Sequence, residues 1–157
     1  MVLEQAGRKL IHSVPKPKYS TGCTHADKCS VDDNKSCGGS KLIYRAICTE
    51  CPPTDGANPQ YIGTTGCTLH YRSSAHNKDI RGAKSTNSLH KHNKKFHQNS
   101  IKSTNRLKFH PISTHPKNLE RMVTEAYHIH HSPNIFNSKS EFGQGKWISM
   151  NWNKQAT

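Results

Sequence analysis

Cys48 and Cys51 stand in a C-x2-C at the end of an apolar run, and His92 and His97 follow about forty residues later in an H-x4-H. Two thiolates at that spacing span one face of a tetrahedron, and two imidazoles at a helix end complete it, which are the ligand types zinc prefers. The interval is too long for an independent finger. A metal there would instead staple the end of a strand to a helix, and this chain has use for a staple. Only 31% of its 157 residues are hydrophobic, so any core is small. The alternative reading makes Cys48 and Cys51 ordinary thiols and the two histidines surface residues.

The length fits one domain with flanking segments. No apolar run approaches the roughly 20 residues of a membrane span, and Met1–Leu10 lacks the apolar stretch of a signal peptide. The chain therefore reads as soluble and intracellular, with no membrane partner, in a compartment where closely spaced cysteines hold metal rather than form disulfides.

Residues 1–40 read as an irregular, Cys-containing basic arm, rich in turn formers and without periodicity. KLIYRAIC (41–48) reads as a buried strand, and Gln60–Gly63 as its hairpin partner after the break at Pro52-Pro53-Thr54-Asp55-Gly56. Thr64–Ile80 follows as a helix with Thr65 or Thr68 as N-cap, and it puts Arg72 and His76 on one face. Ser85–His97 reads as a second helix with Leu89, His92 and Phe96 on one side. RLKFHPI suits an edge strand, because proline cannot donate to a ladder. Pro116 would open a last helix whose apolar stripe is Leu119, Met122, Val123, Ala126 and His130, with Glu125 at its border. The segment 143–157 is a tail or short strand, carried by GKWISMNW. The whole is an α/β (α+β) domain with a small, mainly antiparallel sheet flanked by helices.

Twenty-three Lys and Arg against ten acids give +13, and +9 of this lies between Lys78 and Arg121. Charge of that density points to a polyanion, nucleic acid before membrane. Lys78, Arg81, Lys84, Lys91, Lys94 and Lys95 are the candidate phosphate contacts; the bland alternative is a solvated basic face. Cys23, Cys29 and Cys37, with His25, read equally as a second zinc site or as an unordered arm.

LIY at 42–44, YIG at 61–63 within YIGTTGCTLHYRSSAH, the helix ERMVTEAYHI and the segment IFNSKSEF fall in one order along residues 41–142. In these motifs the chain resembles the GIY-YIG nuclease superfamily. With Cys48, Cys51, His92 and His97 woven through that stretch, it is similar to the CCHH endonuclease domain that follows the reverse transcriptase in Penelope-like retroelements; the upstream cysteines resemble the Cys-rich stretch ahead of that domain. The resemblance implies a DNA endonuclease with Mg²⁺ (or Mn²⁺) for catalysis and Zn²⁺ for structure. Glu125 would hold the Mg²⁺, Arg72 would clamp the scissile phosphate, and Tyr44 would be the base or water-positioning group. Tyr61 and His76 would position or relay protons, and Asn137 would hold the site together. It further implies double-stranded DNA as substrate, products with 5′-phosphate and 3′-hydroxyl ends, and a nuclear setting with a reverse transcriptase domain and element RNA as partners. One departure is visible: the family's first motif begins with Gly, where this chain has Leu42. The rivals are a non-catalytic zinc-stabilised nucleic-acid-binding module and a basic structural protein of a nucleoprotein particle.

Overall fold

Leu42, Ile43, Tyr44, Ala46 and Cys48 are all fully enclosed, as a run this apolar should be when both faces of a strand are covered. They belong to β1 (Leu42–Cys48), the central strand of a three-stranded antiparallel sheet between β2 (Gln60–Thr65) and β3 (Leu107–Thr114). This is a computed structural model, and it describes residues 29–32, 37–54, 56–81, 87–97 and 106–138. Three helices flank the sheet: α1 (Leu69–Arg81), α2 (Ser88–His97) and α3 (Asn118–His131). The domain is thus a small α+β unit. Cys23, His25, Lys84 and the GKWISMNW segment lie outside the described residues.

One face of the sheet carries Leu42, Tyr44, Ala46 and Cys48 of β1 with Tyr61, Leu107 and Phe109, and Leu69 of α1 and Leu89 of α2 close over it. Ile43 and Ile62, which alternation sends to the other face, are equally enclosed. α3 packs against β2 and β1, and its His128 feels the charge of Arg45, which shares that second face. β3 is an edge strand of the sheet, with Pro111 opposite Tyr44 beside a register shift. Its other side is met by residues 29–32, where Val31 bridges Phe109 and two backbone bonds join Asp32 and Ser30 to Phe109. This part of the arm is therefore built into the domain.

The helix limits differ from expectation in instructive ways. Thr64 and Thr65 belong to β2, and α1 begins only at Leu69, with Thr68 Oγ1 accepting from the Tyr71 N–H. The Thr65 hydroxyl accepts from the Cys67 N–H and so shapes the turn between strand and helix. Two further N–H groups of the first turn, at Leu69 and His70, donate to the carbonyls of Gly39 and Cys37, so the arm caps the helix. α2 starts at Ser88 with Asn87 as its cap, and Phe96 is exposed rather than sharing a buried side with Leu89 and His92. α3 starts at Asn118, not Pro116, and exposes Leu119 and His130 while burying Arg121 and Thr124. The cause is Arg121, whose guanidinium donates to the His115 and Pro116 carbonyls and to Asn118 Oδ1. Three hydrogen bonds from a charged donor outweigh burial of Leu119 and rotate the helix.

Candidate functional site

β1 directs Tyr44 toward α1, and its register partner on β2 is Gly63. A Cβ at residue 63 would stand 2.5 Å from Tyr44 Oη and 2.7 Å from its Cζ, so only glycine lets the phenol lie across β2. The buried Oη then lies 2.6 Å from His76 Nε2 and accepts a hydrogen bond from Arg72 Nε at 3.2 Å. Arg72 and His76 are four residues apart on α1, which is what allows one helix to bring both to one oxygen. Tyr61 sits 5.7 Å edge-on to His76, and the imidazole stacks on Phe109. Tyr44, Tyr61, Arg72 and His76 are thus gathered in one cluster.

Burial, with the Arg72 charge beside it, holds the His76 imidazole down to about 3, so it is neutral in ordinary buffers. A neutral imidazole can accept the phenol proton at Nε2; Nδ1 is then the N–H, and it is buried with no hydrogen-bond partner among the described residues. Burial opposes the charge of Arg72, but Tyr44, then Tyr61 and Asp79, outweigh it and raise Arg72 above its ordinary value. The cluster therefore combines a fixed cation with an uncharged base on the same phenol oxygen.

Asn137 does not point into this cluster. Its Oδ1 accepts from the Ile62 N–H at 2.9 Å and its Nδ2 donates to the Ile62 carbonyl at 2.7 Å, a side chain pairing with β2 as a neighbouring strand would. The same segment pairs backbone to backbone with Gln60 through Asn134 and Phe136. Phe136 stacks on His92 at 4.2 Å and lies 6.2 Å from Tyr61, which joins the tyrosine cluster to the cysteines and histidines. Glu125 is partly buried on α3, whereas the hydrogen bonds among Tyr44, Arg72 and His76 come from β1 and α1 alone. It belongs to no trio of Cys, His and acidic side chains among the described residues.

Cys48, Cys51, His92 and His97 do come together, and they could hold a metal ion: their ligand atoms all lie within 4.8 Å of one another. Both cysteines are free thiols. His97 Nε2 is 3.3 Å from each sulfur, and His92 Nε2 is 3.5 Å from Cys51 Sγ. Zn–S of about 2.3 Å and Zn–N of about 2.0 Å at a tetrahedral angle give an S···N edge of about 3.5 Å, so the set suits structural zinc. Burial, followed by the neighbouring Cys48, pushes the Cys51 thiol up to about 11, an environment that favours the thiolate only beside a cation. Burial first, then His97 and Arg106, hold His92 down to about 4, which leaves it neutral as a ligand must be.

Spacing alone did not reveal Glu50 and Arg106. The Glu50 carboxylate lies 3.6 Å from His97 Nδ1 and 3.4 Å from Arg106 Nε, so it turns the other ring nitrogen toward the thiols. Arg106 is in turn fixed by Asn93 Oδ1 at 2.8 Å. An acid between two metal-type cysteines was the available signal for Glu50; nothing in the sequence distinguished Arg106 from ten other bases in its stretch. Lys78, Arg81, Lys91, Lys94 and Lys95 are exposed along α1 and α2, as a phosphate-contacting surface requires. Comparison of the chain with protein-family models, curated proteins and solved structures gives no match.

Proposed function

We propose that this chain is a metal-dependent DNA endonuclease of the GIY-YIG type, similar to the CCHH endonuclease domain of Penelope-like retroelements. The observation that carries the reading is the meeting of Tyr44, Arg72 and His76 at one oxygen, with Tyr61 beside them. A phosphodiester hydrolase needs a base for water and a cation for the phosphate. Tyr44 orients the attacking water, and neutral His76 takes the phenol's hydrogen bond at Nε2 and so holds the hydroxyl in position. With Nε engaged by Tyr44, the two Nη groups of Arg72 are the ones that meet the scissile phosphate. Glu125 is the carboxylate that would hold Mg²⁺ or Mn²⁺, and the ion would supply charge neutralisation at the phosphate. Asn137 acts as scaffold, fixing β2 and hence Tyr61. The exposed bases hold duplex DNA without choosing sequence. Water attack in line leaves 5′-phosphate and 3′-hydroxyl ends. In a retroelement, working in the nucleus beside a reverse transcriptase domain and element RNA, that 3′-hydroxyl would prime reverse transcription.

One observation favours the rival, a non-catalytic zinc-stabilised nucleic-acid-binding module: Tyr44 is 0% exposed. A phenol so enclosed serves chemistry only if DNA binding opens its surroundings. Cleavage of supercoiled plasmid separates the two. Nicking with Mg²⁺ that EDTA abolishes, and that Glu125→Ala and Tyr44→Phe each lose while retaining DNA, is the expected result. DNA retention without nicking under any divalent metal assigns the chain to the binding module.

A further inference from the structure

We infer that the outer faces of α1 and α2 receive an unpaired stretch of DNA beside the duplex, with Tyr71 and Phe96 as platforms on which its bases stack. The inference rests on the nuclease reading and deepens it by naming the substrate class. Among the described residues, the large hydrophobic side chains left exposed are Tyr71, Phe96 and Leu119. The two aromatic ones, at 66% and 57% exposure, stand on the two helices that carry the exposed bases. One exposed ring is ordinary. Two, each with cations for neighbours, are what a single strand requires.

Tyr71, Ser74, Lys78 and Arg81 follow one another at i, i+3, i+7 and i+10, so they share one face of α1, and all four are exposed. α2 packs against α1 and adds the exposed Lys91, Lys94 and Lys95, and Lys95 Nζ lies 4.9 Å from the centre of the Phe96 ring. The two helices carry six Lys and Arg against one acid, Asp79. Such cations follow the phosphates of either form of DNA. The rings discriminate, because a base in a duplex has both faces covered by its neighbours and offers one to a side chain only when unpaired and unstacked. Tyr71 directly precedes Arg72, so a nucleotide on its ring would adjoin the phosphate that Arg72 clamps.

The test uses the zinc-loaded full chain without Mg²⁺ and the fluorescence anisotropy of labelled probes: a blunt DNA duplex, the same duplex with a single-stranded DNA extension, and versions whose extension is abasic or RNA. The intact DNA extension is expected to bind tightest. Tyr71→Leu and Phe96→Leu should each weaken that binding about 5- to 100-fold and leave the abasic probe and the salt dependence as in the wild type. Tyr71→Phe keeps the ring and should bind as the wild type does. Lys78→Gln should instead lower affinity and salt slope on every probe. Intact and abasic extensions bound alike, a blunt duplex or RNA extension bound more tightly than the DNA one, or Leu variants that bind as the wild type does, overturns the assignment. Plasmid nicking is read separately. Stacking without nicking refutes the nuclease and not the platforms, whereas nicking by a chain that ignores the bases of the extension does the reverse.

Discussion

His76 Nε2 lies 2.6 Å from Tyr44 Oη, and the imidazole that makes this contact is kept neutral by burial and by the charge of Arg72. The same pair therefore sets a pH dependence of folding. Unfolded, the imidazole would titrate near 6.5; folded, it is held down to about 3. Below the unfolded value the unfolded chain binds the extra proton, so stability is complete above about pH 6.5 and declines as pH falls toward 3. At pH 5 the His76 contribution to that decline is about 2 kcal/mol. Urea unfolding at pH 7 and pH 5, with zinc constant, should show a larger loss in the wild type than in His76→Gln. The difference between the two isolates His76 from the other buried histidines, and equal losses would remove it as the sensor.

Gly63→Ala should damage the domain through Tyr44. The new methyl would meet Oη and Cζ of a fully enclosed ring, and overpacking of this kind costs about 1–3 kcal/mol. A smaller residue at 44 relieves the clash. Urea unfolding of Gly63→Ala, Tyr44→Leu and the double variant should therefore show strong non-additivity, the alanine costing less than 0.5 kcal/mol or so once the ring is gone. Simple additivity would show that the phenol does not depend on the bare backbone at residue 63.

These two residues show how far the sequence could be read. β1 was legible because LIYRAIC is apolar at every position but Arg45, and Arg45 is the one exposed residue of the strand. Arg72 and His76 were legible because a four-residue spacing forces them to one helix face. The Cys and His set was legible because zinc restricts donor types and local spacing. The orientation of α3 was not, because apolar periodicity says nothing about a guanidinium that finds three acceptors just ahead of its own helix. Asn137 as a partner of the β2 backbone was also hidden, since it depends on a strand about 75 residues upstream. The contact of Cys29 with His70 was hidden as well, since it joins residues 41 apart in the chain.

Removing metal from the Cys48–His97 centre should loosen the join between the end of β1 and α2. At free zinc about 1,000-fold above the dissociation constant, a single ion adds about 4 kcal/mol. An excess of chelator should accordingly lower the thermal midpoint markedly, and Cys51→Ser should start from the lower value and respond less. A midpoint indifferent to chelator would mean that these four side chains hold no structural ion.

Glu50→Gln tests the group behind the ligand. The carboxylate lies between His97 Nδ1 and Arg106 Nε, and loss of such an outer partner weakens metal binding about 10- to 100-fold. Competition with a chromophoric chelator should register that loss while the circular dichroism of the zinc-loaded variant stays that of the wild type. Unchanged affinity would make the Glu50 contact incidental.

Asn137→Ala should expose what the side chain does for β2. Removing it leaves the Ile62 N–H and carbonyl without the partners that a next strand would have supplied. Unsatisfied backbone groups at a half-buried edge cost about 1–3 kcal/mol. Asn137→Asp is the sharper variant, because a carboxylate can still accept from the Ile62 N–H but cannot donate to its carbonyl. Hydrogen exchange reads the two bonds apart. The Ile62 amide should lose protection in Asn137→Ala and keep much of it in Asn137→Asp, while urea unfolding finds both variants weaker than the wild type. Since Ile62 is the direct neighbour of Tyr61, a scaffold role also predicts that any nicking activity falls in both variants together with stability. Activity lost in a variant of unaltered stability and exchange would instead place Asn137 at the substrate.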